Sequence, residues 1–72
     1  MNKKLFAEIV RKRTGKADVN NELVRVLGIN KNTASERVAG RRPFRADEIE
    51  KIRLEYGLTE QEVVECFIKE GD

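Results

Sequence analysis

The chain of 72 residues contains no histidine, no tryptophan, one proline and one cysteine. It therefore has few of the side chains that most often act as general bases, nucleophiles or zinc ligands. A single cysteine also provides no disulfide framework, so helix packing or a partner has to stabilise so small a domain. We predict that Cys66 is buried and acts as a small hydrophobic side chain. The sequence argues against an enzyme, a cofactor and a metal site.

Long apolar runs are missing as well. Charged residues make up 39% of the chain, and no stretch is long enough for a membrane span or a signal peptide. The first predicted helix is basic and amphipathic, but its apolar face is narrow and the core needs it, which disfavours a membrane surface. We predict one cytoplasmic domain, residues 1–72, with no room for a deep small-molecule site.

The charges are distributed unevenly along the chain. Residues 1–45 hold twelve of the fifteen basic residues and four of the thirteen acids, a net charge of +8, whereas residues 46–72 carry −6. A basic half of this kind suits a polyanion or an acidic protein surface. The acidic half is expected to face away from DNA or to bind something basic.

Apolar residues recur at helical spacing, and no segment alternates with period two over a useful length. Helix N-caps are predicted at Asp18, at Asn30 or Asn32, and at Thr59, where Glu62 completes a capping box. The pattern predicts an all-α chain of five helices, at about residues 3–13, 19–27, 31–39, 46–56 and 60–69.

The last two predicted helices have an apolar face and an acidic face. The acids are expected to form an ordinary solvated surface: Glu48, Glu50, Glu55, Glu60, Glu62 and Glu65. The inward positions are predicted to be Ile49, Ile52, part of Tyr56, Val63, Val64, Phe67 and Ile68.

Residues 23–44 hold two short helical segments joined by the break Gly28-Ile29-Asn30. Glycine supplies the positive φ that a helix C-terminus favours, and Ile29 is expected to fill the corner. Two helices joined by such a three-residue turn are the pattern of a helix-turn-helix. With Ala34 and Val38 facing inward, the second of these helices would expose a polar strip formed by Lys31, Asn32, Ser35 and Glu36.

This strip carries groups that suit nucleic acid. Lys31 can reach a phosphate or a guanine edge, Asn32 can pair with adenine, and Ser35 can donate or accept a hydrogen bond. Further cations are predicted to contact the DNA backbone beside the strip: Arg37, Arg41 and Arg42.

Two residues leave the nature of the partner open. Glu36 would be repelled by phosphates unless it accepts a hydrogen bond from cytosine, and it fits equally a strip that meets a protein. Phe44 is either tucked under the fourth helix or exposed as the centre of a protein–protein contact. The residues predicted to bind a protein are Arg41, Arg42, Phe44, Arg45, Glu50 and Tyr56.

The run LxxxLGINKNTASERVAGRRPF followed by ADEIEKI resembles the lambda-repressor-like helix-turn-helix domains of phage Cro and repressor proteins. The opening MNKKLFAEIV and the block G-[KR]-[KR]-P-F-x-x-x-E-I-x-x-I resemble small regulators of lysis–lysogeny switches in Gram-positive phages, antirepressors among them. The resemblance implies a five-helix fold whose third helix is the recognition helix. It places Lys31, Asn32, Ser35 and Glu36 at the positions that contact bases.

Three functions follow from the residues and the resemblance together. An antirepressor would bind the N-terminal DNA-binding domain of a phage repressor and prevent operator binding. A Cro-like repressor would bind operator DNA directly through the third helix. A single protein could also combine these two functions by joining the repressor in a complex bound to DNA. A plain interaction module, without regulatory function, is the third.

Overall fold

The computed structural model of the chain describes residues 1–68, in which every regular element is a helix and no β-strand occurs. The all-α prediction is therefore confirmed for the described part of the chain. The helices are α1 (Lys3–Thr14), α2 (Val19–Leu27), α3 (Lys31–Val38), α4 (Ala46–Tyr56) and α5 (Glu60–Val63), and α5 continues as a π-helical turn over Val64–Ile68.

Local capping chemistry determines where the helices begin. The side chains of Asp18 and Thr59 accept hydrogen bonds from backbone N–H groups three residues later, as predicted. Of the two candidates at the start of α3, Asn30 is the cap, because its Oδ1 lies 2.7 Å from the backbone nitrogen of Thr33. Each of these bonds satisfies an N–H that has no partner within its helix.

The helix ends agree with the predictions to within one residue for α1 to α4. The last helix differs more, since its α-helical part stops at Val63 and a π-helical turn follows. Its predicted end, near residue 69, lies outside the described residues.

The core is built around Phe6, which is fully buried and meets the ring of Tyr56 edge to face at a centroid distance of 5.6 Å. Leu23 of α2 and Ile52 of α4 are also fully buried, so three helices share one apolar centre. Burying such side chains contributes about 1.5–3 kcal/mol each, which is a large part of the stability of a small domain.

The π-helical turn changes which residues of the last helix face inward. Ile68, predicted to be inward, is 66% exposed, whereas Cys66 is fully buried. A π-helical turn closes from i to i+5 and so holds one more residue than an α-helical turn, which shifts the inward face along the chain. The carbonyl of Cys66 also accepts a hydrogen bond of 2.7 Å from the backbone N–H of Asn2, linking the first helix to the last.

The prediction for Cys66 is confirmed, since the thiol is buried. Burial raises the pKa of Cys66 to about 11. The thiol therefore stays protonated at neutral pH and packs as a small apolar group.

A buried carboxylate connects α2 to α4. Glu22 accepts a hydrogen bond of 2.7 Å from the hydroxyl of Tyr56 and one of 2.8 Å from Arg25, which also reaches Glu55 at 3.1 Å. Lys16 Nζ lies 3.6 Å from the same carboxylate. The hydrogen bond from Arg25 is the main reason why the pKa of Glu22 is lowered, although burial opposes it.

This arrangement predicts how stability depends on pH. A lowered pKa means that the contribution of Glu22 is complete above the usual glutamate pKa of about 4.3 and is lost as the pH falls through the lowered value. Glu22→Gln should reduce the free energy of unfolding at pH 7 by about 1–2 kcal/mol, and acidification from about pH 5 to about pH 3 should then cost less stability than in the wild type. Thermal denaturation at each pH measures both effects.

The matched control is Glu8→Gln, which removes a carboxylate from an exposed pair with Lys12. Exposed pairs of this kind contribute about 0–1 kcal/mol. A Glu22→Gln protein with the stability and pH profile of the control would contradict the role given to Glu22.

Candidate functional site

The corner between α2 and α3 determines which residues α3 presents to solvent. Gly28 has φ +68°, a left-handed conformation that side chains disfavour, and its N–H donates to the carbonyl of Val24 at 2.9 Å. Ile29 is half-buried in the corner, as predicted. α3 packs against α2 with Ala34 and Val38 buried, so the opposite side of α3 faces outward.

The predicted exposure of the polar strip is confirmed for Lys31, Asn32 and Ser35, which are exposed on this outward side. Glu36 is only half-exposed. Lys31 forms no ion pair with any residue of the described chain, 1–68, so its charge is available to an external anion.

Arg37 is held differently from its neighbours on α3. Its guanidinium donates to the carboxylate of Glu48 on α4, and its side chain is only 14% exposed. Arg37 therefore lies at the contact between α3 and α4. Its guanidinium, which we expected to contact phosphate, is hydrogen-bonded to Glu48 instead.

The prediction that Glu48 lies on a solvated acidic face is wrong, because Glu48 is buried, with 8% of its surface exposed. Its carboxylate accepts the backbone N–H of Arg45 at 2.9 Å, which satisfies the first turn of α4, and also binds Arg37. Burial alone would raise the pKa of Glu48, but the hydrogen bonds from Arg37 and from the Arg45 backbone outweigh burial and lower it. An acid three residues after a cap position is a known capping signal, so the sequence did carry a hint of this role.

The segment that leaves α3 is folded back onto the end of that helix. The backbone carbonyl of Glu36 accepts N–H groups from Arg41 at 2.9 Å and from Arg42 at 3.4 Å. The Nε of Arg42 lies 2.9 Å from the carboxylate of the same Glu36, and the Nε of Arg45 lies 3.3 Å from Asp47. Within residues 1–68, Arg41 alone of these exit arginines makes no ion pair.

Phe44 was predicted to be either packed inside or exposed, and it is partly packed and partly exposed. Its ring packs edge to face on Phe67 at a centroid distance of 5.0 Å, yet the residue stays half-buried rather than buried. Together with Met1, Pro43 and Ile49, the two rings line a surface cleft of about 230 Å³. An apolar side chain of another protein could enter this cleft.

The two remaining predicted protein contacts lie on α4 and differ in exposure. Glu50 is exposed, and its carboxylate lies 2.6 Å from Arg53; the hydrogen bond from Arg53 is the main cause of its lowered pKa. Tyr56 is 4% exposed and donates its hydroxyl to Glu22, so it belongs to the core and not to a contact surface. Burial is the main cause that raises the pKa of the Tyr56 phenol, which stays protonated.

Leu54 was not among the predicted surface residues, yet it is 66% exposed on α4. A signal for it was present, because Leu54 lies two residues after the buried Ile52 and therefore about 200° around the helix from it. This position places an apolar side chain among charged neighbours on the outer side of α4.

Neither a metal site nor a membrane span is found in the part of the chain that the structure describes. No group of three or more Asp, Glu or Cys residues within residues 1–68 could hold a metal ion. None of the helices in that range combines the length and the apolar character that crossing a bilayer requires.

Comparison of the chain with protein-family models, with curated proteins and with solved structures finds no match. Its function has to be inferred from the residues and the geometry of the chain itself.

The two bonds made by Glu48 predict its contribution to stability. Glu48→Ala leaves the partly buried guanidinium of Arg37 and the N–H of Arg45 without their acceptor, so the free energy of unfolding should fall by about 2–3 kcal/mol. Urea denaturation followed by circular dichroism measures the change.

Glu50→Ala serves as the control on the same helix, since it removes an exposed pair with Arg53. Its effect should stay below about 1 kcal/mol. Equal losses in the two variants would show that Glu48 does not join α3 to α4 in the way described.

Proposed function

We propose that the chain is a lambda-repressor-like helix-turn-helix protein that acts as a phage antirepressor in the cytoplasm of the bacterial host. It binds the N-terminal DNA-binding domain of the phage repressor, prevents that domain from binding its operator, and so favours the lytic choice. The observation that carries the proposal is the pairing of the arginines around α3 with carboxylates of the same chain.

The helix-turn-helix part of the proposal is supported by the corner at residues 28–30. A left-handed glycine, a half-buried isoleucine and an asparagine cap join α2 to α3 in three residues. Since Ala34 and Val38 are buried against the rest of the chain, the side of α3 that carries Lys31 and Asn32 is presented outward. This is the arrangement in which the second helix serves as a recognition element.

The pairing of the arginines favours a protein partner over DNA. Affinity for DNA comes largely from cations that neutralise phosphates. Near α3, however, Arg37, Arg42 and Arg45 are each within ion-pair distance of a carboxylate. A surface of mixed charge beside a half-buried aromatic ring has the composition of a protein–protein contact.

Within this proposal the exit of α3 is the docking surface. Arg41, Arg42 and Arg45 flank Phe44 in the sequence, and Arg42 lines the cleft beside Phe44. This cleft would receive an apolar side chain of the repressor. Exposed acids on α4, such as Glu50, would pair with basic residues that the repressor uses to read DNA. Occupying those residues is how the complex would block operator binding.

The second candidate is a Cro-like repressor that binds operator DNA directly. It is favoured by the exposed Lys31, Asn32 and Ser35, which form a polar strip able to enter a groove. A protein of this kind, alone in solution, would bind the operator with a steep salt dependence that reflects several phosphate contacts.

The experiment that separates the two functions titrates the chain against each partner. Calorimetry with the N-terminal domain of the repressor encoded beside it should give tight, saturable binding. A gel shift of the chain alone on the intergenic DNA should give weak binding that does not depend on sequence. Tight, operator-specific binding by the chain alone, without binding to the repressor domain, would replace the antirepressor with the Cro-like function.

The docking surface predicts a specific effect of Phe44. Phe44→Ala should weaken binding to the repressor domain by about 2 kcal/mol or more, roughly thirtyfold, because an aromatic anchor at the centre of an interface contributes that much. The measurement is calorimetric titration, with circular dichroism to show that the variant remains folded.

Lys4→Ala is the control, since it shortens an exposed side chain on the outer face of α1, away from the proposed docking surface. It should leave the affinity for the repressor domain unchanged. An affinity of folded Phe44→Ala equal to that of the wild type would remove Phe44 from the interface.

A further inference from the structure

The pairing of Arg42 with Glu36 is accompanied by backbone hydrogen bonds to the same glutamate. The backbone carbonyl of Glu36 holds the N–H groups of Arg41 and Arg42, so the chain bends back over the end of α3. The same bend brings the guanidinium of Arg42 to 2.9 Å from the carboxylate of Glu36. Glu36 thus binds both the backbone N–H and the side chain of Arg42, which was predicted to contact phosphate.

We propose that Glu36 is a specificity-determining residue that suppresses DNA binding by the α3 surface, because its carboxylate occupies Arg42 in the place of a phosphate. The surface then remains available for a protein partner. This inference rests on the proposed helix-turn-helix function of α3 and names the residue that directs α3 away from DNA.

The effect of Glu36 does not depend on a strong ion pair. Its side chain is 39% exposed and that of Arg42 is 66% exposed, and pairs as exposed as this contribute little to stability. If Arg42 turned to a phosphate, however, the carboxylate of Glu36 would remain unpaired beside the polyanion and would repel it. DNA binding would therefore lose one cation contact and gain one repulsion.

Glu48 acts in the same direction at the contact between α3 and α4, because it holds Arg37. Of the three arginines predicted to contact phosphate, Arg41 is the one that makes no ion pair within residues 1–68. Glu48 also caps α4, so its substitution would disturb the fold. Glu36 is the residue at which the suppression can be tested in a folded protein.

The test is Glu36→Gln, measured by fluorescence anisotropy on a labelled duplex of the intergenic DNA between about 50 and 200 mM salt. We expect a several-fold higher affinity at low salt and a plot of log affinity against log salt that is steeper by about 0.9, the value for one additional phosphate contact. Arg42→Gln in the wild-type background should leave the slope unchanged, since Arg42 is already occupied.

Two further variants separate this effect from a general change in charge. Glu8→Gln adds the same charge on α1, where Glu8 pairs with Lys12 at 3.7 Å, and should leave the slope unchanged. The double variant Glu36→Gln/Arg42→Gln should return the slope to that of the wild type. Circular dichroism should show the same helix content in every variant.

The results that would overturn the inference are equally defined. A slope in Glu36→Gln equal to that in Glu8→Gln would overturn the inference: if both slopes are steeper than in the wild type, only net charge matters, and if neither is, Glu36 does not restrain Arg42. A lower affinity of Glu36→Gln for the intergenic DNA would make Glu36 a base contact. Binding of the wild type to the repressor domain is measured separately, so a failure of the antirepressor function does not alter the reading of these DNA measurements.

Discussion

Gly28 ends α2 in a left-handed conformation, and the chain then has two more residues before α3 begins. The short connection forces α3 to pack against α2 through Ala34 and Val38, which leaves the other side of α3 facing solvent. Everything proposed about partners depends on this corner. If it opened, neither the polar strip nor the segment that leaves α3 would be held in a defined position.

The uneven distribution of charge along the chain has a structural use. Within residues 1–68, arginines of the basic half pair with acids of the acidic half in four places: Arg13 with Glu62, Arg25 with Glu55, Arg37 with Glu48, and Arg45 with Asp47. The acidic half was expected to avoid DNA or to bind something basic, and part of what it binds is the basic half of its own chain. The net charge of one half therefore overstates the positive charge that an external polyanion meets.

Much of the fold could be predicted because it depends on neighbours in sequence. The caps at Asp18 and Thr59 and the left-handed Gly28 act within one turn of chain, and such patterns are visible in the amino-acid sequence. The turn from α2 to α3 and the exposure of Lys31 follow from the same local rules.

What could not be predicted depends on contacts between distant residues. Arg37 has the sequence context of a surface arginine, and only the packing of α4 brings Glu48 beside it. Tyr56 was predicted to be partly inward and also to contact a partner, but Phe6 and Glu22 enclose it. Ile68 faces outward because a π-helical turn shifts the register, and apolar spacing does not reveal such a turn.

The central claim is that the outward side of α3 and the segment that leaves it form one surface for a protein. Amide chemical-shift mapping by NMR tests this most directly, with the repressor's N-terminal domain added to the labelled chain. The account predicts saturable shifts at residues 31–35 and at Arg41, Arg42 and Phe44, with little change on the outer face of α1 around Lys4 and Arg11. Shifts confined to that face of α1, or no saturable shifts at all, would contradict it.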